Sequence, residues 1–195
     1  MPGPVLFLAS TSPRRRQLLA DAGMAFALCE PGAELDHLPS PPGTAPAQLA
    51  RERAARKALG ARGHDPQVPV LGVDTVVDVD GDELGKAPDP ATAAAMLRRL
   101  VGRAHLVHTA HCLVVPATGQ RFDELATATV VGAVPSAGEL AAYVASGDWR
   151  GKAGAYGIQD PTQSFLRVVD GAFDTVVGLH VAAVQKLLQR LGGRA

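Results

Sequence analysis

"VLFLASTSPRRRQLLADAG" occupies residues 5–23. Residues 5–9 form a short apolar run of strand type. Ser12 follows as an N-cap, Pro13 as the first helical residue and Gly23 as the stop. A strand feeding directly into a helix is the building unit of α/β folds, and the chain goes on to repeat it. Residues 48–59, rich in Ala, Leu and Arg, predict a helix, and the β-branched run 70–79 predicts a strand. Asp80-Gly81 is a hairpin signal, with a returning strand near 82–86. Asp89 caps and Pro90 opens a helix to Leu100. Strands are expected over 104–115, 124–134 and 165–169. Ser136 and Glu139 form a capping box for a helix ending near Ser146, and 181–191 is the last helix. Residues 37–46, "HLPSPPGTAP", read as an irregular surface loop, and 151–157 as a glycine-rich one. No internal repeat or long linker divides the chain. The expectation is one α/β domain over 1–195 with a mixed sheet.

Composition narrows the function. The chain has 195 residues, is 47% hydrophobic and carries a formal net charge of zero. A zero balance argues against a general nucleic-acid or polybasic membrane surface, so any cationic site is local. The two cysteines, Cys29 and Cys112, form no CxxC pair, which fits a reducing cytoplasm better than a disulfide framework or thiolate zinc. "MPGPVLFLAS" is too short and uncharged for a signal peptide, and no apolar run approaches a membrane span.

Arg14, Arg15 and Arg16 stand at a helix mouth, where the helix dipole disfavours cations. Leu18, Leu19 and Ala22 form the core-facing stripe, and stepping back three or four positions lands on Arg14 and Arg15. Arg16 shares the face of Ala20 and points to solvent. Free N–H groups at a helix mouth receive anions, and two guanidinium forks suit phosphate oxygens. A multiply charged anion would remove the conflict; an ordinary capped helix with exposed arginines is the other reading.

Asp74 lies inside the apolar run "VLGVDTVVDVDG". A buried carboxylate needs a metal, a cation or hydrogen bonds. The hairpin at Asp80-Gly81 would bring Lys86 back opposite Thr75, beside Asp74. Such a pair fits metal-assisted attack on phosphorus, or a structural ion pair. Asp78, Asp80 and Asp82 begin like a calcium loop, but Glu83 stands where its glycine is required. His105 and His111 would lie roughly 20 Å apart on one strand face, with His108 on the other, which argues against a shared metal. "GKAGAYG" lacks the order of a P-loop.

Taken together, the chain resembles the Maf family of nucleoside triphosphate pyrophosphatases. The resemblance rests on "LASTSPRRRQLL" (8–19), "VLGVDTVV" (70–77), "LGKAPDPATAAAMLRRLVGRAHLVHTA" (84–110), "KAGAYGIQ" (152–159) and "VVGL" (176–179), nearly the whole chain. It implies a Maf/inosine-triphosphatase-like fold, a mixed central sheet flanked by helices with a cleft between two lobes. It also implies cleavage between the α- and β-phosphates, a divalent cation (Mg²⁺ or Mn²⁺) and often a homodimer. Carried over by position, Arg14 and Arg15 with Ser12 are the phosphate-binding residues, Asp74 the catalytic acid, Lys86 the active-site lysine and Gln159 a substrate contact. Thr75, where the 7-methyl-GTP branch typically has glutamine, points to the dTTP/UTP branch. The family's acidic pair falls in "GAELDH", where Glu34 aligns as a metal ligand and Asp36 is reached by a one-residue shift. Arg53 stands where the family tends to have lysine, and Lys57, one turn later, could substitute. His180 stands where the family often has proline. The runners-up are a 7-methyl-GTP or purine triphosphate pyrophosphatase, and a nucleotide-binding division regulator.

Overall fold

The computed structural model describes residues 3–33 and 43–193. Glu34, Leu35, Asp36 and most of the proline-rich loop lie outside them. The elements follow as β1 (Leu6–Ala9), α1 (Pro13–Asp21), β2 (Phe26–Cys29), α2 (Pro46–Leu59), β3 (Val70–Val79), β4 (Asp82–Leu84), α3 (Pro90–Leu100), β5 (Ala104–Val115), β6 (Gln120–Gly132), α4 (Ala137–Ser146), β7 (Leu166–Asp170), α5 (Phe173–Val177) and α6 (Val181–Gly192). Start signals do what their chemistry predicts. Asp89 accepts the Thr92 amide at 2.7 Å, and Ser136 and Glu139 close a reciprocal capping box. Asp80 and Gly81 both adopt positive φ, 56° and 88°, the backbone of a tight two-residue hairpin.

Three differences from the sequence reading have local causes. Strand β6 starts at Gln120 rather than 124, because the turn at Thr118-Gly119 puts Gln120 directly opposite Val115. Strand β2, only four residues, and α5, only five, were not anticipated. Both are too short to show a period and are held by their neighbours.

Seven strands form one mixed sheet in the order β2-β1-β3-β5-β6-β7, with β4 also on β3. Strands β1 and β2 run parallel to each other, β1 runs parallel to β3, and the other pairings are antiparallel. Strand β5 covers one edge of β3 from Val70 to Asp78. The opposite edge is shared, with β1 pairing at Val70–Gly72 and β4 at Val77–Val79. Between them, residues 73–76 have no strand on that edge among the described residues. This gap opens beside the end of β1 and the mouth of α1, a place where open α/β sheets bind ligands.

Side chains of β3 alternate between two cores. On one face Ala50, Ala54 and Ala58 of α2 pack on Val76, Ala110 and Cys112. On the other, Leu71, Val73 and Leu113 meet Leu19, Leu179, Val184 and Leu187. A third cluster joins Leu97 and Leu100 of α3 to Val77, Val107, Tyr143, Trp149 and Tyr156. By parity Asp74 faces α2, and Thr75 faces α1 and α5.

Gly72 sets how closely α2 approaches. A Cβ there would lie 2.2 Å from the Ala54 carbonyl oxygen and 2.6 Å from the Ala58 nitrogen, both backbone atoms. Gly72→Ala is therefore expected to cost about 1–3 kcal/mol through overpacking, read as a lower urea midpoint. An unchanged midpoint would contradict the contact.

Candidate active site

The gap in β3 opens into a cavity of about 230 Å³. Its wall comes from six places: the β1–α1 junction, α2, the centre of β3, the segment after β4 with the glycine-rich loop, Val107 of β5, and the end of α5. Five cationic side chains line it (Arg14, Arg15, Lys57, Lys86 and Lys152), and among the described lining residues Asp74 is the one carboxylate. A chain of zero net charge thus concentrates positive charge in one place.

The arginines behave as their helical phase requires. Arg15 is buried, Arg14 half-buried and Arg16 exposed. Arg15 donates from Nε to the Gly178 carbonyl at 2.8 Å, from Nη1 to Ser10 Oγ at 3.2 Å and from Nη2 to Thr75 Oγ1 at 3.4 Å. Arg14 reaches the Val177 carbonyl at 3.4 Å. Burial pulls the Arg14 pKa down from its ordinary value, with Asp160 opposing. Ser12 stands before α1 in extended backbone without a side-chain cap bond, and its hydroxyl-bearing side chain also lines the cavity. The helix mouth is therefore left to a ligand by its own cap residue.

Thr75 is oriented from behind. Thr109, fully buried on β5, donates its proton to the Thr175 carbonyl at 2.7 Å. A hydroxyl has one proton, so Thr109 accepts from Thr75 across 3.0 Å, and Thr75 in turn accepts from Arg15. Thr75 also lies 3.4 Å from the Gly178 carbonyl, but its one proton goes to the nearer Thr109, which gives the direction Arg15→Thr75→Thr109→Thr175. Thr109→Val is expected to lower stability by about 1–3 kcal/mol and kcat/KM about tenfold, because it unseats both Thr75 and Arg15. Unfolding curves and steady-state rates would show it; a variant that loses stability alone would contradict the coupling.

Asp74 is 3% exposed, and Lys57 on α2 places Nζ 2.7 Å from its Oδ1. The sequence reading had put Lys86 beside Asp74. Lys86 and Asp74 line the same cavity, and the Lys86 backbone bridges to Ala153. The hairpin ladder ends at Leu84, two residues before the expected end of the returning strand. Arg53, expected to bind substrate, is not among the cavity-lining residues. It holds Glu83 with two hydrogen bonds, 2.5 and 3.2 Å.

Gln159 is exposed at the cavity rim. Behind it Lys152 bonds both Asp160 oxygens at 2.5 Å, and Tyr143 donates to Asp160 at 2.8 Å. Sequence reasoning missed Lys152, Ser10 and Thr109. Lys152 lies inside "KAGAYGIQ", where nothing local marks its reach to Asp160 or the cavity.

The three β5 histidines take separate partners: His105 meets Tyr156, His108 meets Thr127 and Asp78, and His111 accepts the His180 amide at 2.9 Å. Proline at 180 could not make that bond, having no N–H. Burial, then Arg15, pushes His111 down to about 3, and burial, then Arg103, pushes His105 down to about 4. Both lie below the ordinary 6.5, so the unfolded chain binds the extra protons. Their neutral-state stability is complete above 6.5 and is lost as pH falls toward 4. Tm is expected to be lower at pH 5 than at pH 7.5, and His111→Gln should narrow the difference; an equal difference would contradict it.

Among the described residues no group of three His, Cys, Asp or Glu side chains could hold a metal. A single carboxylate in a cationic, phosphate-sized cavity still suits Mg²⁺ or Mn²⁺. Such ions take one or two protein carboxylates and complete their shell with substrate phosphates and water. Asp74 is that carboxylate; Glu34 and Asp36 are outside the described residues. No helix among the described residues is long and apolar enough to cross a membrane.

Comparison with known proteins agrees with the geometry. The family model described as Maf-like protein matches residues 5–191. The chain is 44% identical over 191 residues to a dTTP/UTP pyrophosphatase of Thermus thermophilus, covering 98% of this chain and 97% of that protein. It is 41% identical to one of Burkholderia pseudomallei (95% and 93%) and 36% identical to one of Pelotomaculum thermopropionicum (96% of each).

Proposed function

The chain belongs to the Maf family, and on that footing we propose that it is a nucleoside triphosphate pyrophosphatase acting on dTTP and UTP. The observation that carries this reading is the ring of five cations around one buried carboxylate, at a helix mouth on a gap in the sheet. A triphosphate carries about four negative charges near neutral pH, and guanidinium forks match its oxygens. Water adds to the α-phosphorus, the bond from that phosphorus to the oxygen bridging to the β-phosphate breaks, and nucleoside monophosphate and pyrophosphate leave.

Arg14 and Arg15, with the α1 amides and Ser12, bind the phosphate chain and offset its charge. Lys86 neutralises charge developing on the leaving pyrophosphate. Asp74 orients the attacking water and takes its proton. When bound, a divalent cation held by Asp74, and by Glu34 if it faces the site, would polarise phosphate oxygens and favour hydroxide at neutral pH. Thr75 and Gln159, which line the same cavity, contact the nucleoside. The same membership supports a single cytoplasmic domain working as a homodimer, for which two buried free cysteines suit a reducing compartment.

The test is a panel of ribo- and deoxynucleoside triphosphates, 7-methyl-GTP included, with Mg²⁺ or Mn²⁺, reading pyrophosphate and orthophosphate separately. Pyrophosphate chiefly from dTTP and UTP is expected. Preference for 7-methyl-GTP or a purine would overturn the substrate and keep the reaction. Nucleotide binding without pyrophosphate would favour a regulatory role.

A further inference from the structure

Lys57 is an unusual neighbour for a carboxylate expected to meet a metal. It is 3% exposed, as is Asp74, and the pair faces the cavity rather than solvent. Its reach depends on the tight approach of α2 that Gly72 permits, since Ala54 and Ala58 press on the strand one pair of positions before Asp74. One turn earlier, Arg53 bonds Glu83, while Lys57 brings its ammonium to this carboxylate. An ammonium 2.7 Å from one carboxylate oxygen fixes the side chain's rotamer and orientation. It also repels any second cation approaching the same group, and in a buried setting that repulsion is weakly screened.

We propose that Lys57 is a positioning residue for Asp74 and an electrostatic competitor of the divalent cation. It holds the carboxylate in its working orientation and keeps nucleotide-free metal binding weak. The negative charge of an incoming triphosphate offsets both cations at once, so metal enters together with substrate rather than ahead of it. Product release removes that charge and loosens the metal again. The inference rests on the reading of Asp74 as the metal-facing carboxylate.

The experiment titrates Mn²⁺ calorimetrically into nucleotide-free wild-type protein and the variants Lys57→Met and Lys57→Arg. Pyrophosphate release from dTTP is followed in parallel, and folding is checked by far-UV circular dichroism. Lys57→Met is expected to bind Mn²⁺ about tenfold or more tightly than wild type, while kcat falls about tenfold or more. Lys57→Arg, which keeps the charge on a longer and flatter head, should stay within about threefold of the wild-type Mn²⁺ affinity but still lose turnover. Equal or weaker Mn²⁺ binding by Lys57→Met overturns the competition. If that variant does not fold, a tenfold change of Mn²⁺ affinity in Lys57→Arg overturns it instead. A merely structural lysine would lower stability in both variants without tightening Mn²⁺ binding. Wild-type protein that releases pyrophosphate from no nucleotide sinks the parent reading as well; intact wild-type turnover with unchanged Mn²⁺ affinity in Lys57→Met sinks only the role of Lys57.

Discussion

Asp74→Asn is expected to lower kcat for dTTP about 10³–10⁴-fold while the protein still folds cooperatively. The substitution keeps shape and volume at a position that is 3% exposed, so it tests charge rather than packing. An amide cannot take a proton from water, and it is a poor ligand for a hard dication. Its carbonyl oxygen still accepts from Lys57, so the fold keeps that hydrogen bond. It does remove the negative charge from the buried Lys57–Asp74 pair, and a lower Tm should accompany the lost turnover. Lys57→Met in the same chain removes the ammonium as well and should recover part of that stability without recovering activity. Pyrophosphate release and urea unfolding on the single and double variants would decide. Turnover within tenfold of wild type would remove Asp74 from the chemistry.

Arg15→Lys should reduce kcat/KM for dTTP about 10²-fold, with most of the effect in KM. Arg15 spreads its fork over the Gly178 carbonyl, Ser10 and Thr75, so three elements share one guanidinium. A lysine keeps the charge but offers one point, and cannot hold the α5 end and a phosphate oxygen in the same plane. Inhibition by added pyrophosphate should weaken in parallel, because the product presents the same oxygens. Arg16→Lys, on the exposed side of α1, serves as the control and should change neither. Equal effects at 15 and 16 would reduce the arginine run to a diffuse charge.

What could be read from the letters alone followed physical reach. The helix mouth at Pro13 and the hairpin at Asp80-Gly81 are local, and their chemistry is spelled within four or five residues. The phase of Arg14, Arg15 and Arg16 was legible because Leu18 and Leu19 fix the helix face. The seven-strand order was not, since parallel pairing of β1 with β3 leaves no mark in either strand. Lys57 was weighed only as a substitute, because nothing in "RERAARKA" tells how closely α2 will ride on β3; that depends on a glycine elsewhere, at 72. Thr109 gave no signal at all, as its role exists only once Thr75 and Thr175 are brought to it by tertiary structure. The returning strand was expected to run to Lys86, but its ladder stops at Leu84, because nothing in the residues after the turn marks where the pairing ends.

The divided edge of β3 also bears on how the molecule assembles. Strand β4 reaches that edge through a two-residue turn, and β5 meets β6 through a short one. Strand β1 pairs in parallel with residues roughly sixty positions downstream. Chain entropy makes such a distant closure the slowest of these steps. The antiparallel half should therefore be in place first, with the arginine-bearing strand–helix unit docking afterward. Catalytic competence then arrives with the last closure, and partial opening of the same seam would disarm the enzyme before the rest of the sheet lets go.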